Sequence, residues 1–343
     1  MDKLVVASTR RNSGKTSIIV GLAKTLGKDF AYLKPFGDRL YYRKKRLWDH
    51  DSALMTNIFG LKENPEDMSI GFEHSRIRYM YDEETIKQKL FEMISDVQSG
   101  KDLLFIEGAE SLRYGASVHL DAISMAKHTN AKLLIVVSGD ERTVMDDLSF
   151  LKKFVDMTDV DFRGVIINKV QDIDYFKDTY LDSLNKMGIN IIGIIPHRHQ
   201  LAYFSVNTLV ERLFTKVVAG EDGLDNIVKN IFAGAMSADA ALQDPLFQKE
   251  DKVVITSGYR TDMVITAMES STACIVFTNN ILPATNVISK ANELNIPLLL
   301  VSEDMYQIAK QIERVEPVLT KDDTANIALI EQMVKKYVDK EKI

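Results

Sequence analysis

The sequence predicts an α/β protein: a mostly parallel sheet with helices on both faces, followed by a smaller α/β unit. Three observations carry that expectation. Short runs of Ile, Leu and Val, apolar throughout rather than alternating, recur at residues 4–7, 30–33, 103–106, 133–137, 164–167 and 191–195. Strands of that kind are buried on both faces, the condition of a parallel sheet between helical layers. Longer amphipathic stretches separate them, among them 17–26, 84–97, 120–128 and 175–184, and such alternation is the mark of α/β folds. Beyond Pro196 the pattern restarts on a shorter scale, and 343 residues are enough for two domains.

Taken in order, residues 4–7 lead through a polar loop into the helix at 17–26, and the strand at 30–33 stops before Pro35, which lacks a backbone donor. Four further strands follow to Pro196. Residues 207–214 then read as a helix, and Ala219-Gly220-Glu221-Asp222-Gly223 as a turn-rich link. Strands at 253–256, 274–278 and 298–301 alternate with helices at 261–269, 286–294 and 305–312. The polar run Lys321-Asp322-Asp323-Thr324 opens a last helix from about Ala325 to Val338. Domains are therefore expected at 1–210 and 211–320, with 321–343 as a C-terminal helix.

Hydrophobic residues make up 45% of the chain and charged residues 27%. That is ordinary globular usage, and it excludes a disordered tail, a collagen-like chain and a disulfide scaffold. Cys274 is the one cysteine, so no internal disulfide forms and a reducing compartment is expected. No apolar run approaches the ~18 residues of a membrane span, and Arg10, Arg11 and Lys15 interrupt the opening apolar run, unlike a secretory signal. A cytoplasmic protein without membrane contact is expected. The net charge of −6 lies wholly in residues 206–343, while residues 1–50 carry 12 basic against 4 acidic side chains. A basic segment on an otherwise neutral domain suits a small anionic ligand better than nucleic acid. Within it, Arg43-Lys44-Lys45-Arg46 reads as a solvated loop.

The strongest chemical signal is Ser8-Thr9-Arg10-Arg11-Asn12-Ser13-Gly14-Lys15-Thr16-Ser17. It follows the first strand and opens the first helix, the context of a phosphate-binding loop. Backbone N–H groups at a helix start are unpaired and carry the positive end of the helix dipole. Residues Arg10, Arg11, Asn12, Ser13, Gly14, Lys15, Thr16 and Ser17 are therefore candidates for nucleotide contact. Lys15 is placed to reach the β- and γ-phosphates of ATP, and the Thr16 hydroxyl to ligate Mg²⁺. Thr9 stands where the usual Gly-x4-Gly-Lys-Thr pattern begins with glycine. Arg10 and Arg11 either add charge against an anion or point to solvent. With this loop the fold class becomes a P-loop NTPase-type sheet.

Four further residues are candidates, three of them at strand ends. Lys34, after the second strand, is a candidate to neutralise a transferring phosphoryl group beside Lys15, or an exposed lysine before a proline turn. Asp51 opens a helix and either holds Mg²⁺ or caps that helix. Glu107 ends the strand at 103–106, where a P-loop fold places its second metal ligand. Asn168 ends a later strand and either reads an adenine edge or makes a turn. The histidines, at 50, 74, 119, 128, 197 and 199, show no zinc spacing.

Together, the Ser-Gly-Lys-Thr loop, Lys34-Pro35, Asp51-Ser52-Ala53 and Ile106-Glu107-Gly108-Ala109 resemble dethiobiotin synthetase and the related cobyrinic acid a,c-diamide synthase family. The resemblance implies ATP at the loop, Mg²⁺ on Thr16, Asp51 and Glu107, and phosphate or acyl-phosphate contact by Lys34. Gly193-Ile194-Ile195-Pro196 with Leu201, Val206 and Leu209, then Gly234-Ala235-Met236-Ser237, are similar to the dethiobiotin-synthetase-like N-terminal region of long phosphotransacetylases. Ser257-Gly258-Tyr259-Arg260-Thr261-Asp262 and Phe277-Thr278-Asn279-Asn280 resemble the two signatures of a DRTGG domain. Tyr259 replaces an acidic residue of that pattern, and Asn279 and Asn280 replace two glycines. Asparagine tolerates positive φ better than most residues, so the turn is expected to survive. The resemblance does not reach the acetyltransferase domain, and a stand-alone arrangement is expected.

Two classes of function follow. In one, the chain binds nucleotide in its first domain and an unidentified small anionic ligand elsewhere, as a regulatory module or weak ATPase. In the other it is an ATP-dependent ligase that activates a carboxylate as an acyl phosphate, with small-molecule or protein kinase chemistry as a third possibility. Relatives of this kind imply a homodimer.

Overall fold

The computed structural model describes residues 1–43, 46–315 and 317–343. They form two compact units, Met1–Arg198 with Leu319–Ile343, and His199–Val318.

In the first unit the strands are β1 (Asp2–Ser8), β2 (Phe30–Leu33), β3 (Leu40–Arg43), β4 (Arg46–Asp49), β5 (Leu103–Glu107), β6 (Lys132–Ser138), β7 (Asp161–Val170) and β8 (Ile191–Pro196). Between them lie α1 (Lys15–Leu26), α2 (His50–Phe59), α3 (His74–Met80), α4 (Glu83–Val97), α5 (Ala122–Thr129), α6 (Glu141–Phe154) and α7 (Ile173–Lys186). Six strands pair in the order β2-β5-β1-β6-β7-β8, all parallel. Every residue of β2 and β5 is buried, as their uninterrupted apolar runs require. Helices α4, α5, α6 and α7 start on Asp82, Asp121, Asp140 and Asp172, whose carboxylates accept N–H groups of the first turn. Those bonds satisfy donors the helix itself leaves unpaired. Because the strands run parallel, Ser8, Leu33, Glu107 and Asn168 reach one edge of the sheet, the edge where ligands of such folds bind.

The hairpin of β3 and β4 was not expected from sequence. Arg43 pairs with Arg46 across it, so the two ends of the basic run read as a solvated loop lie in strands. Its middle residues, Lys44 and Lys45, lie outside the described residues.

The second unit contains β9 (Phe204–Ser205), β10 (Lys216–Ala219), β11 (Ile227–Val228), β12 (Asn230–Ala233), β13 (Lys252–Thr256), β14 (Thr272–Phe277) and β15 (Leu298–Leu300). Its helices are α8 (Val206–Leu213), α9 (Ala238–Leu242), α10 (Thr261–Met268), α11 (Thr285–Leu294) and α12 (Met305–Glu313). Five strands pair as β10-β15-β14-β13-β12, parallel except for β10 against β15. Alternate residues of β13 feed two cores: Val254 packs with Phe232, Met263 and Phe277, and Val253 and Ile255 with Cys274, Val276 and Ile308. That split follows from the two-residue period of a strand. Cys274 is fully buried, as its apolar strand predicts. Asn279 and Asn280 adopt φ of 58° and 55°, so asparagine does carry the turn where the resembled pattern has glycines.

The last helix, α13 (Thr324–Tyr337), belongs to the first unit. The first compact unit thus runs to Arg198 and takes in the C-terminal segment from Leu319. The cause is packing: α13 lies against α1 so closely that a Cβ on Gly21 would stand 2.3 Å from Val334 Cγ2. Beyond α13, Val338 bridges Gly193 and the Asp339 N–H donates to Ile192 O at 2.8 Å, which covers the open edge of β8. Gly21→Leu is expected to cost about 1–3 kcal/mol by overpacking. Urea unfolding would show a lowered midpoint, and limited proteolysis would release the α13 segment before the rest. Among the described residues no helix is long and apolar enough to cross a membrane.

Candidate functional site

β1 ends at Ser8 and α1 begins at Lys15, so the predicted phosphate loop lies between the strand and the helix start as expected. Gly14 precedes α1 at φ 95°, and a Cβ there would also meet Asn168 Nδ2 at 2.4 Å. Only glycine fits both demands. From β7, Asn168 Nδ2 donates to Ser13 O at 2.8 Å and Lys169 Nζ to Asn12 O at 2.6 Å. Within the loop, the Ser8 and Ser13 hydroxyls both donate to Arg10 O. Asn168 therefore braces the loop. Ser17 is half-buried in the first turn of α1.

The two loop arginines turn away from the helix start. Arg10 forms a two-pronged pair with Asp147 of α6, Nε to Oδ2 at 2.8 Å and Nη2 to Oδ1 at 2.6 Å. Arg11 Nη1 lies 3.9 Å from Glu110 Oε2. Sequence offered only an anion or solvent for these side chains; acidic groups of the fold are the partners it could not see.

Lys15 is buried, with Nζ 3.0 Å from Ser8 Oγ. Burial pushes its ammonium below the ordinary lysine range, against the pull of Glu107 and Asp38. Thr16 Oγ1 donates to Glu107 Oε1 at 2.8 Å, and the Tyr32 hydroxyl to Glu107 Oε2 at 2.8 Å. Burial, then the charge of Asp51, raises Glu107 to a pKa of about 7, although Lys34 and Lys15 act the other way. Tyr32 is held well above its usual value by burial and by Glu107.

Lys34 is the centre of a second cluster. Its Nζ stands 2.5 Å from Asp38 Oδ1, 2.6 Å from Asp51 Oδ2 and 3.2 Å from Asp49 Oδ2. Burial alone would discharge this ammonium, but the three carboxylates hold it well above the ordinary lysine range. Burial likewise favours neutral Asp51, yet Lys34, His50 and Arg39 keep it well below the carboxylate range. Asp49 divides its oxygens: Oδ1 caps α2 by accepting the Asp51 and Ser52 N–H groups, and Oδ2 accepts those of Asp38 and Arg39. The capping role considered for this segment thus falls to Asp49 and leaves Asp51 to Lys34.

Asp38, Asp49 and Asp51 lie close enough together to hold a metal ion, but the Lys34 ammonium already contacts all three. The oxygen set of Thr16, Asp51 and Glu107 does suit a hard cation such as Mg²⁺. One observation tests the fit: Asp51 Oδ1 is buried without a hydrogen bond, with Arg39 Nη1 at 3.6 Å and His50 Nδ1 at 3.5 Å. An oxygen of that kind has spare capacity for a cation.

Sequence reading singled out Lys15, Thr16, Lys34, Asp51, Glu107 and Asn168, and the structure brings them to one sheet edge. It passed over Ser8, Tyr32, Asp38, Asp49 and Arg39. Arg39 links the two clusters, donating to Asn12 Oδ1 at 2.8 Å while it faces Asp51. The sequence held one clue: Asp38 follows Lys34 by four residues across Pro35 and Gly37, a turn that folds the chain back.

Glu107 makes a pH prediction. Its folded pKa of about 7 lies above the model-peptide value of 4.5, so between those values the folded state holds a proton the unfolded chain has lost. Stability is therefore expected to fall as pH rises from about 4.5 to about 7, by at most about 1.4 kcal/mol per unit. Urea unfolding across that range should show the slope, and Glu107→Gln should flatten it.

Comparison with known proteins places these features. The AAA domain family matches residues 2–203, and the DRTGG domain residues 208–315. A phosphate acetyltransferase of Nitratidesulfovibrio vulgaris is 20% identical over 359 aligned residues, covering 98% of this chain and 50% of that protein. A cobyrinate a,c-diamide synthase of Limosilactobacillus reuteri is 25% identical over 216 residues, covering 57% of this chain and 39% of the synthase. Among solved structures, the CBS and DRTGG domains of the regulatory region of Clostridium perfringens pyrophosphatase, complexed with the activator diadenosine tetraphosphate, match at 19% identity with a TM-score of 0.28, over 35% of this chain and 51% of that one. The chain spans about half the length of the phosphate acetyltransferase it matches.

Proposed function

The chain belongs to the AAA domain family through residues 2–203, and on that premise we propose that it is a Mg²⁺-ATP-binding P-loop protein acting as a nucleotide-dependent regulatory module or weak ATPase. The observation that supports this most is the meeting of Lys15, Thr16, Lys34, Asp51 and Glu107 at the carboxyl edge of a parallel sheet. Lys15 and the N–H groups of the α1 start would bind the phosphates, and Asn168 with Lys169 would keep the loop in shape. Thr16, Asp51 and Glu107 would hold Mg²⁺, which supplies charge neutralisation on the phosphates when bound. Regulation is favoured by the extent of the match: this chain aligns almost end to end with about half of a phosphate acetyltransferase, across both the AAA and DRTGG regions.

A second reading has its own support. Lys34 is a fixed cation beside the loop, and the synthase relative aligns with 57% of this chain. An ATP-dependent ligase would use Lys34 to neutralise the phosphoryl group passing to a carboxylate, with the reacting groups aligned by the site. Phosphate release separates the two. The regulatory reading expects slow release with Mg²⁺-ATP that mixtures of carboxylic acids and amines do not stimulate. Release that requires a particular acid and amine would establish the ligase instead.

A further inference from the structure

Away from the P-loop edge, the first unit carries a cavity of about 410 Å³ beside β8, α7 and the C-terminal tail. We propose that this cavity binds a small organic anion, an acid group on a compact apolar body. Its size falls within the roughly 300–1,000 Å³ of small-molecule sites. Leu181, Ile194 and the Tyr337 ring give apolar lining, and Lys177, Lys336 and Lys342 stand around it with no carboxylate among the lining side chains.

Among the described residues, two of these lysines have no carboxylate partner, although Lys336 Nζ lies over the Tyr337 ring, 5.0 Å from its centroid. Lys342 faces Asp339 at 3.4 Å, but among the described residues no carboxylate lies within ion-pair distance of Lys177 or Lys336. Lys336 sits in the last turn of α13, where a cation complements the helix dipole. Lys177 has no such reason, since it lies in the amino-terminal half of α7. The lining is mixed, and a few apolar side chains beside the Lys177 and Lys336 ammonium groups, which no carboxylate among the described residues neutralises, would hold an acid head and a small apolar body together. The tail that walls the cavity is held to β8 by the Asp339 N–H bond to Ile192 O, so an occupant would also steady that tail.

The test uses the full chain with octanoate, phenyl phosphate and inorganic phosphate, each followed by calorimetry and by hydrogen exchange of the C-terminal peptide. One saturable site for octanoate or phenyl phosphate is expected, with slower exchange at Asp339. The double variant Lys177→Glu, Lys336→Glu changes exposed side chains only, and it should weaken binding about tenfold or more. Preference for octanoate would identify a carboxylate ligand, and preference for phenyl phosphate a phosphate ester. Inorganic phosphate binding as tightly as phenyl phosphate would reveal a bare counter-ion patch and overturn the proposal. Absence of saturable binding, or binding indifferent to the double variant, would overturn it too.

Discussion

Lys34→Ala is expected to destabilise the first unit by about 3–5 kcal/mol at neutral pH, the cost of removing one partner from a buried ion cluster. The Lys34 ammonium is almost fully buried and contacts Asp38, Asp49 and Asp51. Without it, three acids face one another, with Arg39 and His50 still beside Asp51. The pH dependence identifies the cause. In the parent chain Asp51 is held well below its usual pKa, so its contribution is present above about pH 4 and lost as pH falls further. In the variant the acids take up protons more readily, and protonation relieves their repulsion. The gap between parent and variant should therefore narrow as pH falls from 7 toward 4. Urea unfolding at a series of pH values measures it, and a constant gap would point to lost packing instead of lost charge.

The second large effect concerns ligand affinity. Lys15→Ala is expected to weaken ATP binding by an order of magnitude or more, about 1.4 kcal/mol for each factor of ten. Its Nζ already lies beside the phosphate loop, 3.0 Å from Ser8 Oγ, and burial keeps it poorly solvated. A buried ammonium gains most from an anion when little water competes with it. The fold should tolerate the change, because burial works against this charge and no carboxylate makes a close ion pair with it among the described residues. Calorimetric affinity beside an unchanged urea midpoint would show both. Equal affinity in parent and variant would remove the loop lysine from binding.

The central strands were legible because they are apolar at every position, a signature that depends only on local sequence. The phosphate loop was legible for the same reason, being contiguous between strand and helix. What escaped the sequence depends on where distant segments meet. The Lys34 cage joins Asp38, Asp49 and Asp51 across the β3–β4 hairpin, and that hairpin is too short and basic to announce itself. For Arg10 the sequence left an anion and solvent both open, and Asp147 reaches it only because α6 packs there. The amphipathic pattern of α13 declared an apolar face, but its partner Gly21 lies some three hundred residues earlier in the chain. A pattern of that kind specifies burial without naming the surface that buries it.

Titrating ATP into the parent chain with and without Mg²⁺, by calorimetry, tests the central claim most directly. One nucleotide per chain is expected, bound more tightly with Mg²⁺, with that gain lost in Glu107→Gln. Absence of saturable binding, or an affinity indifferent to both Mg²⁺ and Glu107, would contradict it.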